Sequence, residues 1–272
     1  MADLDGRTFL VTGANAGIGR ATAVELARRG GRVFAACRSE ERARAVLEEL
    51  GASGVFLSLD LGDLASVRAC AKSFLERDEP LHVLINNAGI GGQRGLTADG
   101  FELNFGVNHL GHFLLTRLLL DRVKASALAR VVNVSSVGHY QAKGIDWDAL
   151  RQPTKAFTAM PEYAVSKLCN VLFTQELARR LEGIGVTTYA VHPGAIASEI
   201  WKRVPWPVRP VMKAFMKSPE EGATTTLWCA TAPELAGETG RYYDGCREKD
   251  PNSVATPELG RELWERSEGW TS

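Results

Sequence analysis

The chain has 272 residues, 45% of them hydrophobic, with 32 basic and 32 acidic side chains and a formal net charge of zero. That length buries a core of the size normal for one α/β domain, while the charge balance offers no basic excess for nucleic acid and no acidic tail. Five cysteines (Cys37, Cys70, Cys169, Cys229, Cys246), odd in number and without a C-x-x-C, read as reduced thiols and not as a disulfide framework.

In chain order, Arg7–Thr12 is predicted as a buried strand and Gly17–Gly30 as a helix. Strand Arg32–Cys37 and the charged helix Glu40–Leu50 follow, then strand Val55–Leu59, helix Leu64–Arg77 and strand Leu81–Asn86. A long helix over Phe101–Val123, strand Arg130–Ser135, helix Glu162–Glu182 and strand Val186–Val191 continue the alternation. Pro219–Thr231 reads as a helix capped by Ser218, with Glu220 and Glu221 in its first turn, and Gly240–Tyr243 as a final edge strand. Strands alternating with helices argue for parallel pairing with helices on both faces. The near-continuous apolar runs at 81–86 and 129–134 fit strands buried on both sides. The N-terminus carries neither a basic patch nor an apolar run. The greasy stretch around 113–120 is broken by Thr116 and Arg117 and is too short to span a bilayer. The expectation is a soluble, cytoplasmic protein with no transmembrane segment.

Two motifs carry chemistry. Gly13-Ala14-Asn15-Ala16-Gly17-Ile18-Gly19 follows the first strand and opens the first helix. Glycines there permit a tight turn and close backbone approach, and the helix N-terminus favours a pyrophosphate. The second strand ends in Arg38-Ser39 with no carboxylate. Arg38 is therefore the candidate ligand of a 2′-phosphate, with Ser39 beside it, against the alternative of a solvated side chain. Tyr163 and Lys167 stand four residues apart, on one face if the segment is helical. A nearby ammonium favours the phenolate. Bringing a phenol from about 10 to about 7 takes roughly 4 kcal/mol, which one charge at about 4 Å in an effective dielectric of about 20 supplies.

The residues resemble the short-chain dehydrogenase/reductase family in Thr12–Gly19, Asn86-Asn87-Ala88-Gly89, Ser135-Ser136, Tyr163-x-x-x-Lys167 and His192-Pro193-Gly194, in the family's order and spacing. Within the family the chain looks most like the retinol dehydrogenase branch, in Ala36-Cys37-Arg38, Phe105–His112, Val131–Ser136 and Tyr242–Glu248. It is expected to lack the N-terminal anchor that membrane-bound members of that branch carry. The resemblance implies a single doubly wound Rossmann-like domain over 1–272, with a seven-stranded parallel sheet of order 3-2-1-4-5-6-7. It implies that Asn108, Ser136, Tyr163 and Lys167 are catalytic. Asp60 and Leu61 would contact adenine, Asn87, Ala88 and Gly89 would lie under the adenosine ribose, and Pro193, Gly194, Ile196 and Ser198 would line the nicotinamide side. Asn108 would bend its helix and hold a water in a proton relay. Pairing through the helix that bears Tyr163 would make a homodimer.

Among weaker signals, His109 and His112 lack a third metal ligand, so no metal site is expected. His139 and Tyr140, near Ser136, are candidate substrate contacts. The segment 201–217, with Trp201, Trp206 and Met212, is too apolar and too basic for an ordinary loop. It reads as a substrate lid, or alternatively as an amphipathic helix on the core or at a membrane surface. The leading reading is an NADP(H)-dependent oxidoreductase acting on a hydrophobic aldehyde, ketone or alcohol such as retinal or retinol. A broad carbonyl or hydroxysteroid reductase and a non-catalytic NADPH sensor are the alternatives.

Overall fold

The computed structural model describes residues 3–126, 128–194 and 218–272. Its strands are β1 (Thr8–Thr12), β2 (Arg32–Cys37), β3 (Gly54–Ser58), β4 (Val83–Asn86), β5 (Arg130–Val134), β6 (Thr187–His192), β7 (Arg241–Asp244) and β8 (Arg247–Lys249). They form one sheet in the order β3-β2-β1-β4-β5-β6-β7-β8. The first seven pair in parallel, in the expected order. The expectation of seven strands needs one correction: β8 pairs antiparallel with β7, so β7 is not the edge. The reversal is a two-residue turn in which Gly245 and Cys246 both take positive φ (58° and 56°), the geometry that matches the twist of a tight hairpin. All three residues of β8 are charged and exposed, which gives no apolar signal and leaves a protected edge.

Side-chain alternation sorts the strands into two cores. Leu10, Phe34, Leu84 and Val131 face one side, packing with Phe74 of helix α3 (Leu64–Leu75) and Phe113 of α5 (Gly111–Ala125). Phe9, Val11, Val33, Ile85 and Val132 face the other, against Leu26 of α1 (Gly17–Arg28) and Val46 of α2 (Glu40–Leu50). The predicted Phe101–Val123 helix is interrupted. A short turn α4 (Leu103–Phe105) passes into a π-helical turn, Gly106–Leu110, before α5 begins. Helix α6 (Met160–Arg180) lies against the first core, α7 (Pro219–Thr231) against the second. Ser218 and Glu221 form a reciprocal capping box on α7. A further helix, α8 (Pro257–Trp270), packs on α6 through Leu263 and Trp264.

β1 sits between β2 and β4, so the chain's winding reverses there. Crevices at such switch points, at the carboxyl ends of the strands, are where doubly wound sheets bind ligands. No described helix is long and apolar enough to cross a membrane.

Candidate active site

The glycine loop lies at that crevice. Gly13 has φ +68°, and a Cβ on it would come within 3.0 Å of Ala88 Cα. Gly19 is tighter still: a Cβ there would run into Gly13 O and come within 2.5 Å of Asn87 Nδ2. Around Gly17 (φ +55°), by contrast, a Cβ would meet nothing within 4 Å. Glycine loop and Asn87–Gly89 turn are thus closed on each other, while the side facing the crevice stays open. Helix α1 starts at Gly17 with no side-chain cap and no acidic residue in its first turn. Its first N–H groups and the positive end of its dipole are available to an anion, so these residues fit a dinucleotide's pyrophosphate. Asn15 and Ile18 are half-buried in this loop, and Ala16 is exposed. Arg38 is exposed after β2 and makes no ion pair among the described residues. Ser39 caps α2 by accepting from Arg42 N. Leu61 is buried, and Asp60 accepts from Gly62 N at 2.9 Å, which fixes the turn after β3.

Asn108, Ser136, Tyr163 and Lys167 come together from the π-turn, the end of β5 and one face of α6. Lys167 is only 4% exposed, and its Nζ donates to Val134 O at 2.9 Å. It lies 5.7 Å from the centre of the Tyr163 ring. A Cβ on Gly89 would lie 3.3 Å from both Lys167 Nζ and Asn108 Oδ1, and one on Gly138 would lie 3.2 Å from Tyr163 and 3.4 Å from Ser136 Oγ. Ser136 Oγ accepts from Gly138 N at 3.1 Å. Ser135 is structural: its hydroxyl donates to Lys167 O at 2.7 Å. The Asn108 amide clamps Ile90, accepting from its N at 2.8 Å and donating to its O at 2.9 Å, and also donates to Ser166 Oγ at 2.9 Å.

The electrostatics differ from the sequence expectation. Burial pushes the Lys167 ammonium down to about 8. Tyr163 is held above the usual phenol value, because desolvation outweighs the hydrogen bond from Ser136. The protein's own groups therefore keep Tyr163 protonated. Lys167 directs its charge at a backbone carbonyl on the sheet, so its pull on the phenol is weaker than the spacing alone suggested.

A family model described as short chain dehydrogenase matches residues 7–147. The chain belongs to the short-chain dehydrogenase family. Human retinol dehydrogenase 11 is 47% identical to it over 276 residues, covering 97% of this chain and 85% of that protein. Human retinol dehydrogenase 13 is 44% identical over 283 residues, covering 98% and 85%. Among solved structures, an uncharacterised protein from Mycobacterium paratuberculosis superposes with a TM-score of 0.81 at 34% identity, covering 99% of this chain and 96% of that one. The 3-ketoacyl-(acyl-carrier-protein) reductase of Brucella melitensis, solved with NADH, shares the fold at a TM-score of 0.70 and 23% identity, covering 93% and 100%.

The remaining expected positions of this short-chain dehydrogenase divide. Pro193 and Gly194 (φ +89°) follow β6 at the same end of the sheet. Ile196, Ser198, Trp201, Trp206 and Met212, with the expected lid over 201–217, lie outside the described residues. His139 is fully buried: Nδ1 lies 2.6 Å from Ser136 O, and Nε2 accepts from Asn252 N at 3.1 Å. With both ring nitrogens engaged, it braces the Ser136 turn and offers no free polar atom to a substrate. Tyr140 is half-exposed, stacked on His139 at 4.0 Å, and donates to Asp250 O at 2.6 Å. His109 packs among Phe105, Phe113 and Phe173 and meets Ser267 at 3.2 Å.

Sequence reasoning missed the polar supports beneath the site. Asn133 on β5 accepts from Asn86 Nδ2 at 2.8 Å and donates to Thr174 Oγ1 at 2.9 Å, tying two central strands to α6. Asn170 Nδ2 joins Lys167 on Val134 O, at 3.1 Å. Asn252 holds the carbonyls of His139 and Ala142, each at 2.8 Å. Amides inside otherwise apolar strands, at Asn86 and Asn133, were the available signal, because buried polar groups must find partners.

Proposed function

We propose that this short-chain dehydrogenase is an NADP(H)-dependent oxidoreductase that interconverts a hydrophobic aldehyde or ketone with its alcohol, retinal and retinol being the first pair to test. The observation that carries the reading is the convergence of Ser136, Tyr163, Lys167 and Asn108 beside an open glycine loop with an uncapped helix N-terminus. A bound nicotinamide cofactor would supply the hydride. Arg38, exposed and without an ion pair among the described residues, suits a 2′-phosphate.

The chain's own residues would handle the oxygen and its proton. Ser136 Oγ, already accepting from Gly138 N, would turn its hydroxyl proton from Tyr163 to a carbonyl oxygen, and Tyr163 Oη would protonate that oxygen as it gains charge. Because burial keeps Tyr163 in the phenol form, the resting protein is set for reduction. Lys167 would bind ribose hydroxyls and stabilise the phenolate left behind. Apolar side chains flank these groups in sequence: Val137, next to Ser136, is 44% exposed, and Phe157, ahead of α6, is 88% exposed. Such surface favours an apolar substrate. The named activity of the retinol dehydrogenases supports the same class. A cytoplasmic location and a homodimer remain part of this proposal.

Purified protein mixed with all-trans-retinal and NADPH, with NADH in parallel, tests the reading by product analysis. Retinol formed with NADPH and little with NADH is the expected result. No retinol despite NADPH binding would remove retinal and move the search to ketosteroids and other carbonyls. Binding without turnover on any carbonyl would favour a sensor.

A further inference from the structure

His112 stands one turn beyond Asn108, at the start of α5, and is 2% exposed. Its two ring nitrogens join the nucleotide side of the crevice to the catalytic side. Nδ1 lies 3.0 Å from Asn108 O, and Nε2 lies 2.9 Å from Thr12 Oγ1. Thr12 ends β1, and its hydroxyl oxygen accepts from the backbone N–H of both Asn87 and Ala88 at 2.9 Å.

The proton positions in this chain follow from valence. A carbonyl oxygen only accepts, so His112 Nδ1 carries the hydrogen and Nε2 presents a lone pair. Both lone pairs of Thr12 Oγ1 are taken by the two amides, so its own proton is the one left to give. Its two possible acceptors are His112 Nε2 at 2.9 Å and Ile85 O at 3.4 Å, and the shorter contact wins. The route runs from the Asn87–Ala88 turn through Thr12 and His112 to the Asn108 carbonyl. The Asn108 side chain continues it, clamping Ile90 and donating to Ser166, whose hydroxyl donates to Tyr163 O at 2.7 Å. Burial holds the His112 imidazole at about 4, so it is neutral. An imidazolium would aim a second N–H at a Thr12 oxygen with no lone pair to receive it.

We propose that His112 is a positioning residue that makes the π-turn bearing Asn108 respond to occupancy of the nucleotide turn at Asn87–Ala88. The proposal rests on the cofactor half of the functional reading above and not on any particular carbonyl substrate. Because the carbonyl of Asn108 is held from the nucleotide side, cofactor seated on the turn stiffens the catalytic side through bonds already oriented.

The test combines hydrogen exchange with steady-state kinetics on the wild type, His112→Asn, His112→Gln and His112→Leu. Asparagine places an amide N–H where Nδ1 stood, glutamine an acceptor where Nε2 stood, and leucine neither. NADPH is expected to slow exchange at 87–90 in all four proteins. At 106–111 it should slow exchange at least tenfold in the wild type and not in the three variants, each of which breaks the route at one ring nitrogen or at both. With a carbonyl that the wild type reduces, kcat should fall at least tenfold in His112→Leu with KM for NADPH changed less than threefold, and recover partly in His112→Asn. Equal protection of 106–111 in wild type and His112→Leu would overturn the proposal. So would a kcat in His112→Asn no higher than in His112→Leu. If the leucine variant does not fold, the asparagine and glutamine variants decide: wild-type protection of 106–111 in either one refutes a route through both ring nitrogens. Protection without turnover in the wild type would refute the reductase reading and leave His112's role standing, whereas no NADPH binding would end both.

Discussion

Lys167 Nζ donates to Val134 O at 2.9 Å, so the cation among Asn108, Ser136, Tyr163 and Lys167 is bound to the sheet. That placement has an energetic cost. Burial lowers the ammonium from 10.5 to about 8, so the folded state binds this proton less tightly than the unfolded chain. The penalty is complete below about pH 8 and relaxes as pH rises toward 10.5. Lys167→Met is therefore expected to abolish turnover and yet stabilise the protein at pH 7 by up to roughly 3 kcal/mol, with the gain shrinking at alkaline pH. Thermal unfolding of both proteins at pH 7 and pH 9.5 checks this. A variant less stable than wild type at pH 7 would show that the Val134 bond outweighs desolvation.

Tyr163→Phe removes the proton donor and keeps the ring. Turnover should drop by at least a thousandfold, on the order of 4 kcal/mol in the barrier, while NADPH affinity stays within a few-fold. With the phenol raised above its usual range, wild-type reduction should hold through neutral pH and decline on the alkaline side, where Tyr163 and Lys167 lose protons. A kcat that climbs steadily from pH 7 to pH 9 would contradict that assignment.

Arg38→Asp exchanges a phosphate partner for a carboxylate suited to a ribose hydroxyl. A charge-assisted hydrogen bond accounts for about 1.5–3 kcal/mol, so KM for NADPH should rise by about one to two orders of magnitude while KM for NADH stays or falls. Equal losses with both cofactors would detach Arg38 from the 2′-position.

Gly19→Ala puts a methyl into Gly13 O and Asn87 Nδ2. Overpacking of this kind costs roughly 1–3 kcal/mol, and here it also parts the glycine loop from the Asn87 turn. The expected result is a lowered melting temperature together with NADPH binding weakened at least tenfold. Gly17→Ala, with open space around it, should lose less stability, the positive φ being its main penalty. Equal losses of stability in the two would remove the steric argument.

How far the sequence could be read depended on the kind of signal. β1, β2 and β4 to β6 were legible because strands buried on both faces are largely apolar along their length, as at Val83–Asn86 and Arg130–Val134, and the half-buried edge strand β3 because Val55-Phe56-Leu57 is apolar too. β8 was not, since Arg247-Glu248-Lys249 carries no apolar residue. Its trace was the Asp244-Gly245 pair at the turn. Helix α8 was passed over although Thr256 caps it and Pro257 opens it. The Tyr163–Lys167 spacing placed both groups on one face, but spacing holds no information about burial, and burial decides the direction in which the phenol moves. The polar contacts of His112 and His139 were hidden for a related reason: each reaches a main-chain carbonyl, and every residue has one of those.

The π-turn at Gly106–Leu110 carries a consequence for how this helix tolerates change. A π-turn accommodates one residue more than the α-helical path, and one residue corresponds to a rotation of about 100° around the axis. Phe105 and Phe113 stand eight residues apart, about 80° out of phase on a regular α-helix, and the extra residue absorbs that offset, so both rings reach α8, against Trp270 and Trp264. A one-residue deletion within the turn would restore the α-helical path and, with the two rings then seven residues apart, leave both on one face. What such a deletion would cost is the turn itself, and with it the reach of the Asn108 side chain to Ile90 and Ser166, so a shortened helix would keep its packing and lose its catalytic placement.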